Sequence, residues 1–173
     1  MIGSTESEFE REILPHLDAA FSLARFLLGK DEDAEDTVQE AALRAFRFFD
    51  GFRGQNSRAW FLRIVRNTAF TALKRAHRHE ETVFDEELHM PEAPAVEPGA
   101  QIDYRHDRET VRAAIAQLPP EFREVITLRE LEDCSYKEIA DIANVPVGTV
   151  MSRLSRARAQ LQQILFQSYA KEK

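Results

Sequence analysis

The segment of residues 135–161 constrains the fold more tightly than any other part of the chain, because it encodes two helices joined by a tight turn. Ser135 and Glu138 have the spacing of a capping box, which predicts that the first helix begins there. Pro146 ends this helix, since proline lacks the N–H for the next helical hydrogen bond and restricts the residue before it. A second, longer helix is therefore expected from about Gly148.

The longer helix has two faces of different chemistry. Apolar side chains recur at spacings of three and four and predict one buried stripe, formed by Val150, Leu154, Ala157, Leu161, Ile164 and Leu165. The opposite face is expected to present Thr149, Ser152, Arg156, Ala159 and Gln163, flanked by Arg153 and Arg158. This pattern is typical of a helix-turn-helix, whose second helix enters the DNA major groove. A helical hairpin with a solvated arginine face is the alternative.

Charge is segregated along the chain in a way that the net value of −7 conceals. Residues 51–79 carry a net +7 without a single acid, whereas residues 1–50, 80–110 and 111–173 carry −7, −8 and +1. Because local potential governs phosphate binding, the acidic total does not exclude nucleic acid as a partner. The segregation indicates separate surfaces for separate partners.

Helical spacing dominates, so the fold class is expected to be all-α, with two small helical domains at residues 1–79 and 105–173. Residues 80–104 are expected to form a flexible acidic linker, because the chain from 80 to 103 holds eight acids, three prolines and no Lys or Arg. No apolar run approaches the roughly 20 residues that span a membrane, and the N-terminus lacks a signal-peptide pattern. A cytoplasmic protein is therefore expected. Its only cysteine, Cys134, is expected to be a small, semi-buried residue.

Three helices are expected in the first domain, over residues 6–28, 31–49 and 58–77. Pro15 predicts either a kink in the first helix or a later start of that helix, and Ser57 is expected to cap the third. The buried face of the second helix is expected to consist of Ala34, Val38, Ala41, Ala45, Phe46 and Phe49. Its outward face is available to a protein partner and presents Gln39, Glu40 and Leu43.

The third helix has an outer face suited to unpaired nucleic acid, made of Arg63, Arg66, Asn67, Phe70 and Lys74. Cations neutralise phosphates, an aromatic ring stacks on an unpaired base, and an amide hydrogen-bonds a base edge. The loop before this helix, residues 50–56, is expected to expose Phe52. Single-stranded or melted nucleic acid is the predicted ligand of this helix face.

No enzyme activity is expected, because no nucleophile, general base or phosphate-binding glycine loop can be assembled from the sequence. No cofactor is expected either. His77 and His79 are two residues apart with no third ligand nearby, so a metal site is not expected. A helical metal-dependent enzyme that uses these histidines and nearby acids is kept as an alternative.

Three segments make the chain resemble the extracytoplasmic-function (ECF, group IV) sigma factors of bacterial RNA polymerase, which belong to the sigma-70 family. They are DAEDTVQEAALRAFRFF, FRGQNSRAWFLRIVRNTAF and LPPEFREVITLRELEDCSYKEIADIANVPVGTVMSRLSRARAQL. The resemblance implies a subunit with sigma regions 2 and 4 that binds core polymerase and directs promoter-specific initiation through the −10 and −35 elements. It also implies control by an anti-sigma factor. The alternative is a stand-alone helix-turn-helix regulator whose N-terminal half serves regulation or dimerisation.

The resemblance also implies roles for individual positions. The surface that docks on the polymerase β′ clamp would comprise Asp36, Gln39, Glu40, Leu43 and Arg47, and the second domain would meet the β flap. The −10 element would be opened and a flipped base held by Phe52, Arg63, Arg66, Asn67, Phe70 and Lys74. The −35 element would be contacted by Thr149, Ser152, Arg153, Ser155 and Arg156. The sequence departs from the family pattern at Ala42, where an aromatic is common, and at Met151 and Ser155, where basic or bulky residues are common.

Overall fold

A computed structural model describes residues 2–81 and 108–172, and within those ranges it contains helices and no β-strand. The chain divides into two compact units. The N-terminal unit contains residues 2–81, and the C-terminal unit contains most of residues 108–172. The all-α class with two helical domains is therefore confirmed. The acidic linker predicted at 80–104 lies outside the described residues, apart from its first two, and stays a prediction.

The N-terminal unit contains four α-helices: α1 (Ile2–Ile13), α2 (Leu17–Leu28), α3 (Asp31–Phe48) and α4 (Ser57–Glu81). A 3₁₀ turn containing Pro15 separates α1 from α2, which confirms the predicted kink. A second 3₁₀ turn, Phe49–Gly51, follows α3. The left-handed Gly29 ends α2, with φ of 80° and an N–H that donates to the Arg25 carbonyl at 2.8 Å.

Helices α2, α3 and α4 pack on one another around a fully buried core. Buried alanines let the helices approach closely, and they include Ala20, Ala24, Ala34, Ala41, Ala45 and Ala69. Larger side chains fill the remaining space, among them Leu23, Leu27, Phe61, Leu62 and Val65. The buried hydroxyl of Thr68 donates to the Ile64 carbonyl at 2.8 Å, so this polar group is satisfied inside the core.

Helix α4 differs from its prediction at both ends. The Asn56 side chain caps it, because Oδ1 accepts a hydrogen bond from the Ala59 N–H at 3.0 Å, so Ser57 is not the cap. The helix continues to Glu81, about one turn beyond His77, since neither glycine nor proline occurs in the added turn.

The C-terminal unit contains α5 (Arg108–Ala116), α6 (Pro120–Ile126), α7 (Tyr136–Ala143) and α8 (Val147–Lys171). Helix α8 packs against α5 and α6, and its buried stripe consists of Val150, Leu154, Ala157, Leu161 and Leu165. The helix that begins at Pro120 is α-helical only to Ile126. A π-helical turn, Thr127–Leu131, completes it, and the Glu132 N–H donates to the Thr127 carbonyl at 3.1 Å.

The turn between α7 and α8 has the geometry of a helix-turn-helix. The capping box at the start of α7 is reciprocal: Ser135 N–H donates to Glu138 Oε1 at 3.2 Å, and Glu138 N–H donates to Ser135 Oγ at 3.1 Å. At the other end, Asn144 has a φ of 55° and Val145 N–H donates to the Ala140 carbonyl at 3.1 Å. Helix α7 therefore ends at Ala143, three residues before Pro146, and α8 begins directly after the proline.

Over the described ranges, no helix combines the length and the apolar character that crossing a lipid bilayer requires.

Candidate nucleic-acid and polymerase interfaces

The outer face of α4 brings together the residues that the sequence placed on it. Arg63, Asn67 and Lys74 are exposed, while Arg66 and Phe70 are half-buried. The guanidinium carbon of Arg66 lies 4.0 Å from the centroid of the Phe70 ring, and Arg66 Nη1 donates to Asn67 Oδ1 at 3.4 Å. The guanidinium of Arg66 therefore holds the aromatic ring and the amide in one small cluster.

Phe52 is half-buried, so its predicted exposure is wrong. Its ring lies 5.0 Å from that of Trp60 and 6.0 Å from that of Phe49, measured between centroids. Gly54 allows this packing, because a Cβ at that position would come within 3.0 Å of the Phe52 ring. The aromatic cluster extends through Phe49 to Phe9 on α1, with centroids 5.4 Å apart, and thereby fixes the loop before α4.

A cleft of about 570 Å³ separates this loop from α1. The loop side includes Phe52, Arg53 and Gln55, and the α1 side includes Glu8 and Glu12. Arg53 Nη1 donates to the Asp50 carbonyl at 2.9 Å, which orients the guanidinium. Hydrogen-bonding groups beside an aromatic wall are suited to an unpaired base. The α1 residues of this cleft could not be identified from the sequence, because only tertiary packing brings α1 opposite the loop.

His16 lies between the start of α2 and the start of α4. Its Nε2 atom is 3.3 Å from Ser57 Oγ. Burial lowers the pKa of His16 below its ordinary value, the nearby positive charge of Arg58 lowers it further, and Glu12 opposes the change. The neutral imidazole is therefore the form that this packing favours.

The five positions of α3 that were predicted to dock on the polymerase are all exposed: Asp36, Gln39, Glu40, Leu43 and Arg47. Glu40 pairs with Arg44 at 2.7 Å along the helix, and Leu43 is 64% exposed. Phe46 is 48% exposed although it was predicted to be buried, and its ring makes a T-shaped contact with Phe9 at a centroid distance of 5.2 Å.

Phe48, next to these residues, is also exposed. It was not singled out in the sequence, where alternating phenylalanines at the end of a helix do not reveal which of them faces the core. Leu43 and Phe46, three residues apart, give the end of α3 an apolar surface with charged neighbours, whereas Phe48 projects from another side of the helix. Apolar residues with a polar rim are the composition of protein–protein interfaces.

The first turns of α8 present the residues predicted to contact DNA. Ser152 and Arg156 are exposed, while Thr149, Arg153 and Ser155 are half-buried. Arg153 Nη1 is buried without a hydrogen-bond partner in the described part of the chain. Ala159 is buried, so its predicted place on the outer face is wrong.

Arg158 faces its own unit and is held by an acid of the π-helical turn. Its Nη2 and Nε atoms donate to Glu130 Oε1 at 2.7 and 2.9 Å. Burial lowers the pKa of Arg158, but the bonds and charges of Glu130 and Tyr136 outweigh it and raise the pKa overall. The ion pair therefore fixes α8 against the segment that precedes the helix-turn-helix.

The segment between the π-helical turn and α7 is tied down in the same way. Arg129 lies over the Tyr136 ring at 4.8 Å and donates to the Cys134 carbonyl at 2.9 Å. Cys134 is fully buried, which corrects the expectation of a semi-buried residue. A thiol enclosed in this way serves packing.

The described residues contain no group of three or more His, Cys, Asp and Glu side chains placed to hold a metal ion. His77 and His79 are both exposed on the last turns of α4.

Comparisons with known proteins identify both units. The sequence profile of Sigma-70 region 2 matches residues 13–79, and that of Sigma-70, region 4 matches residues 108–161. The ECF RNA polymerase sigma-E factor of Escherichia coli strain K12 is 38% identical over 137 residues, which cover 73% of this chain and 70% of that protein. The chain belongs to the ECF sigma factors of the sigma-70 family. Sigma factors are initiation factors without catalytic activity, so this protein is not an enzyme.

Further relatives and solved structures agree with this assignment. The sigma factor is 36% identical to the RNA polymerase sigma-H factor of Pseudomonas aeruginosa over 142 residues, which cover 78% and 74% of the two chains. It is 34% identical to ECF RNA polymerase sigma factor SigE of Mycolicibacterium smegmatis over 152 residues. That match covers 87% of this chain but only 58% of the relative, so this sigma factor spans little more than half of that protein.

Two solved structures share the fold of the sigma factor. The sigma factor RpoE, solved in complex with the anti-sigma factor NepR from Bartonella quintana, has a TM-score of 0.73 and 32% identity, covering 92% of this chain and 97% of that one. CnrH, solved in complex with the cytosolic domain of CnrY, has a TM-score of 0.65 and 25% identity, covering 93% and 89%.

Proposed function

We propose that this sigma factor binds core RNA polymerase and directs promoter-specific initiation, with three described surfaces that serve three different contacts. The observation that carries the proposal is the coincidence of each surface with a matched sigma region. The α3 and α4 surfaces lie within residues 13–79, which match region 2, and the start of α8 lies within residues 108–161, which match region 4.

The α4 face is the proposed site of −10 opening. Arg63 and Lys74 neutralise phosphates of the melted strand, while the cluster of Arg66, Asn67 and Phe70 supplies a stacking face and an amide for an unpaired base. Phe52 contributes as the aromatic wall of the cleft beside α1. This assignment makes region 2 responsible for the single-stranded part of the promoter.

The exposed surface of α3 is the proposed docking site for the β′ clamp. It consists of the predicted residues together with Phe46, which adds exposed apolar area beside Leu43. Leu43 stands at the centre of this surface, and the charged residues of α3 around it form the rim.

The first turns of α8 are the proposed reader of the −35 element, because the N-terminal residues of a recognition helix meet base edges in the major groove. The exposed Arg156 is suited to a base or a phosphate. As a polymerase subunit, the protein acts in the cytoplasm. An anti-sigma factor as its regulator is supported by the related RpoE structure, which was solved with one.

A binding experiment separates this function from that of a stand-alone regulator. Labelled promoter fragments are incubated with the sigma factor alone, with core RNA polymerase alone, and with both. A tight, sequence-specific complex is expected only when both proteins are present. Tight, specific binding of duplex DNA by the free protein, unchanged by core enzyme, would instead establish the stand-alone regulator.

A further inference from the structure

The first two turns of α8 expose two apolar side chains on a surface that is otherwise polar. Met151 is 53% exposed and Val147 is 41% exposed. They are four residues apart and therefore lie one above the other on the helix surface. The core positions of these turns, Val150 and Leu154, are at most 1% exposed. Met151 thus stands outside the packing that holds α8 to its own unit.

Met151 lies among the residues that are assigned to the −35 element. Ser152 is its neighbour in the chain, and Ser155 follows one turn later in the same row. Both have short side chains, so the longer thioether of Met151 projects beyond them. A single exposed apolar residue on a protein surface is ordinary. One at the N-terminal end of a recognition helix, however, meets base edges when that helix enters the groove.

The major groove offers one prominent apolar group, the C5-methyl of thymine, which distinguishes thymine from the other bases through apolar contact. A flexible and polarisable methionine adapts to such a group without precise alignment. We propose that Met151 contacts the C5-methyl of a thymine in the −35 element and is a specificity-determining residue of this sigma factor. The inference rests on the proposed function, because it concerns the helix assigned to −35 recognition.

The test removes that methyl group alone. The holoenzyme first selects its −35 element from a pool of duplexes randomised at that element, and each thymine selected is then replaced singly by deoxyuridine. At one position the wild-type holoenzyme is expected to lose about fourfold in affinity, the effect of one buried methyl group. The M151A holoenzyme is expected to bind the thymine duplex about fourfold more weakly and to lose nothing further with deoxyuridine.

Two variants serve as controls. M151L keeps an apolar side chain of similar size and is expected to retain the preference for thymine over deoxyuridine. F166A removes another exposed apolar residue of α8, 77% exposed and four turns further along, and is expected to leave that preference unchanged.

The outcomes distinguish this inference from the function on which it rests. A holoenzyme that forms but selects no −35 sequence would remove the −35 role and the inference with it. Three other results would overturn the inference alone. The selected −35 element could lack thymine, the wild type could bind thymine and deoxyuridine duplexes equally at every position, or M151A could keep the preference of the wild type for thymine.

Discussion

Two arginines of α8 that look alike in the sequence have different surroundings in the structure. Arg156 is exposed on the face assigned to DNA, whereas Arg158 donates twice to Glu130 within its own unit. Helical spacing alone could not separate them, because the acid that pairs with Arg158 lies 28 residues away in the chain. The difference assigns recognition to one arginine and positioning to the other.

We expect R156A to weaken binding to the −35 element by roughly 1–3 kcal/mol and to leave the stability of the C-terminal unit unchanged. R158A should instead lower the urea midpoint of unfolding, because it removes two hydrogen bonds to the half-buried Glu130. Holoenzyme binding to −35 variants and urea unfolding of each protein check the pair. Equal loss of stability in both variants would contradict this division.

His16 gives a prediction about pH. Because its folded pKa is lowered, the unfolded state binds more protons between that value and the ordinary one, so stability rises with pH through this window. The contribution of His16 to the free energy of unfolding is complete above the ordinary pKa of histidine. It is lost as the pH falls through the lowered pKa of the folded state. NMR titration should place the midpoint of the folded ring below that of the same ring in urea, with H16Q identifying the resonance. A folded midpoint at or above the value in urea would refute this.

At the scale of elements, local signals predicted some of the helix boundaries. Pro15 and the capping box at Ser135 act through the backbone of their own turn, and each appears in the structure as expected. Burial was less predictable. Phe46 is more exposed and Ala159 is more buried than predicted, because the burial of a helix residue depends on which neighbouring helices pack against it.

Helix α4 carries the prediction for promoter opening. N67A removes the amide beside Arg66 and Phe70 but leaves the cations, so opening should suffer more than initial docking. Permanganate reactivity of thymines at −10 measures opening, and closed-complex affinity at low temperature measures docking. R63A is the matched control, since loss of a phosphate contact should weaken docking first. If N67A reduced opening and closed-complex affinity by the same factor, a base contact by the Asn67 amide would be ruled out.

Helix α3 carries the prediction for polymerase binding. L43A should weaken association with core enzyme several-fold, because Leu43 loses its burial against the clamp. L14A is the matched control, since Leu14 is a similarly exposed leucine in the 3₁₀ turn outside this surface. Fluorescence anisotropy of the labelled sigma factor with core polymerase provides the affinities. An equal effect of both substitutions would mean that α3 is not the docking surface.

At the scale of the whole molecule, the sequence predicted two helical units and the kind of ligand that each would meet. The net +7 of residues 51–79 marked the unit that contains α4, and the acid-free stretch after Ile142 marked α8. The cleft beside Phe52 could not be foreseen, since its α1 wall is more than 35 residues away in the chain. Patterns within one helix are readable in sequence, whereas sites that two distant elements share are not.

The most direct test of the central claim is run-off transcription with core RNA polymerase on promoters mapped by overexpression of the protein. Specific transcripts should appear only when core enzyme and the sigma factor are both present, and shifting the −10 or −35 element out of place should abolish them. The account would be contradicted if core enzyme alone gave the same transcripts, or if core enzyme together with the sigma factor gave no specific transcript.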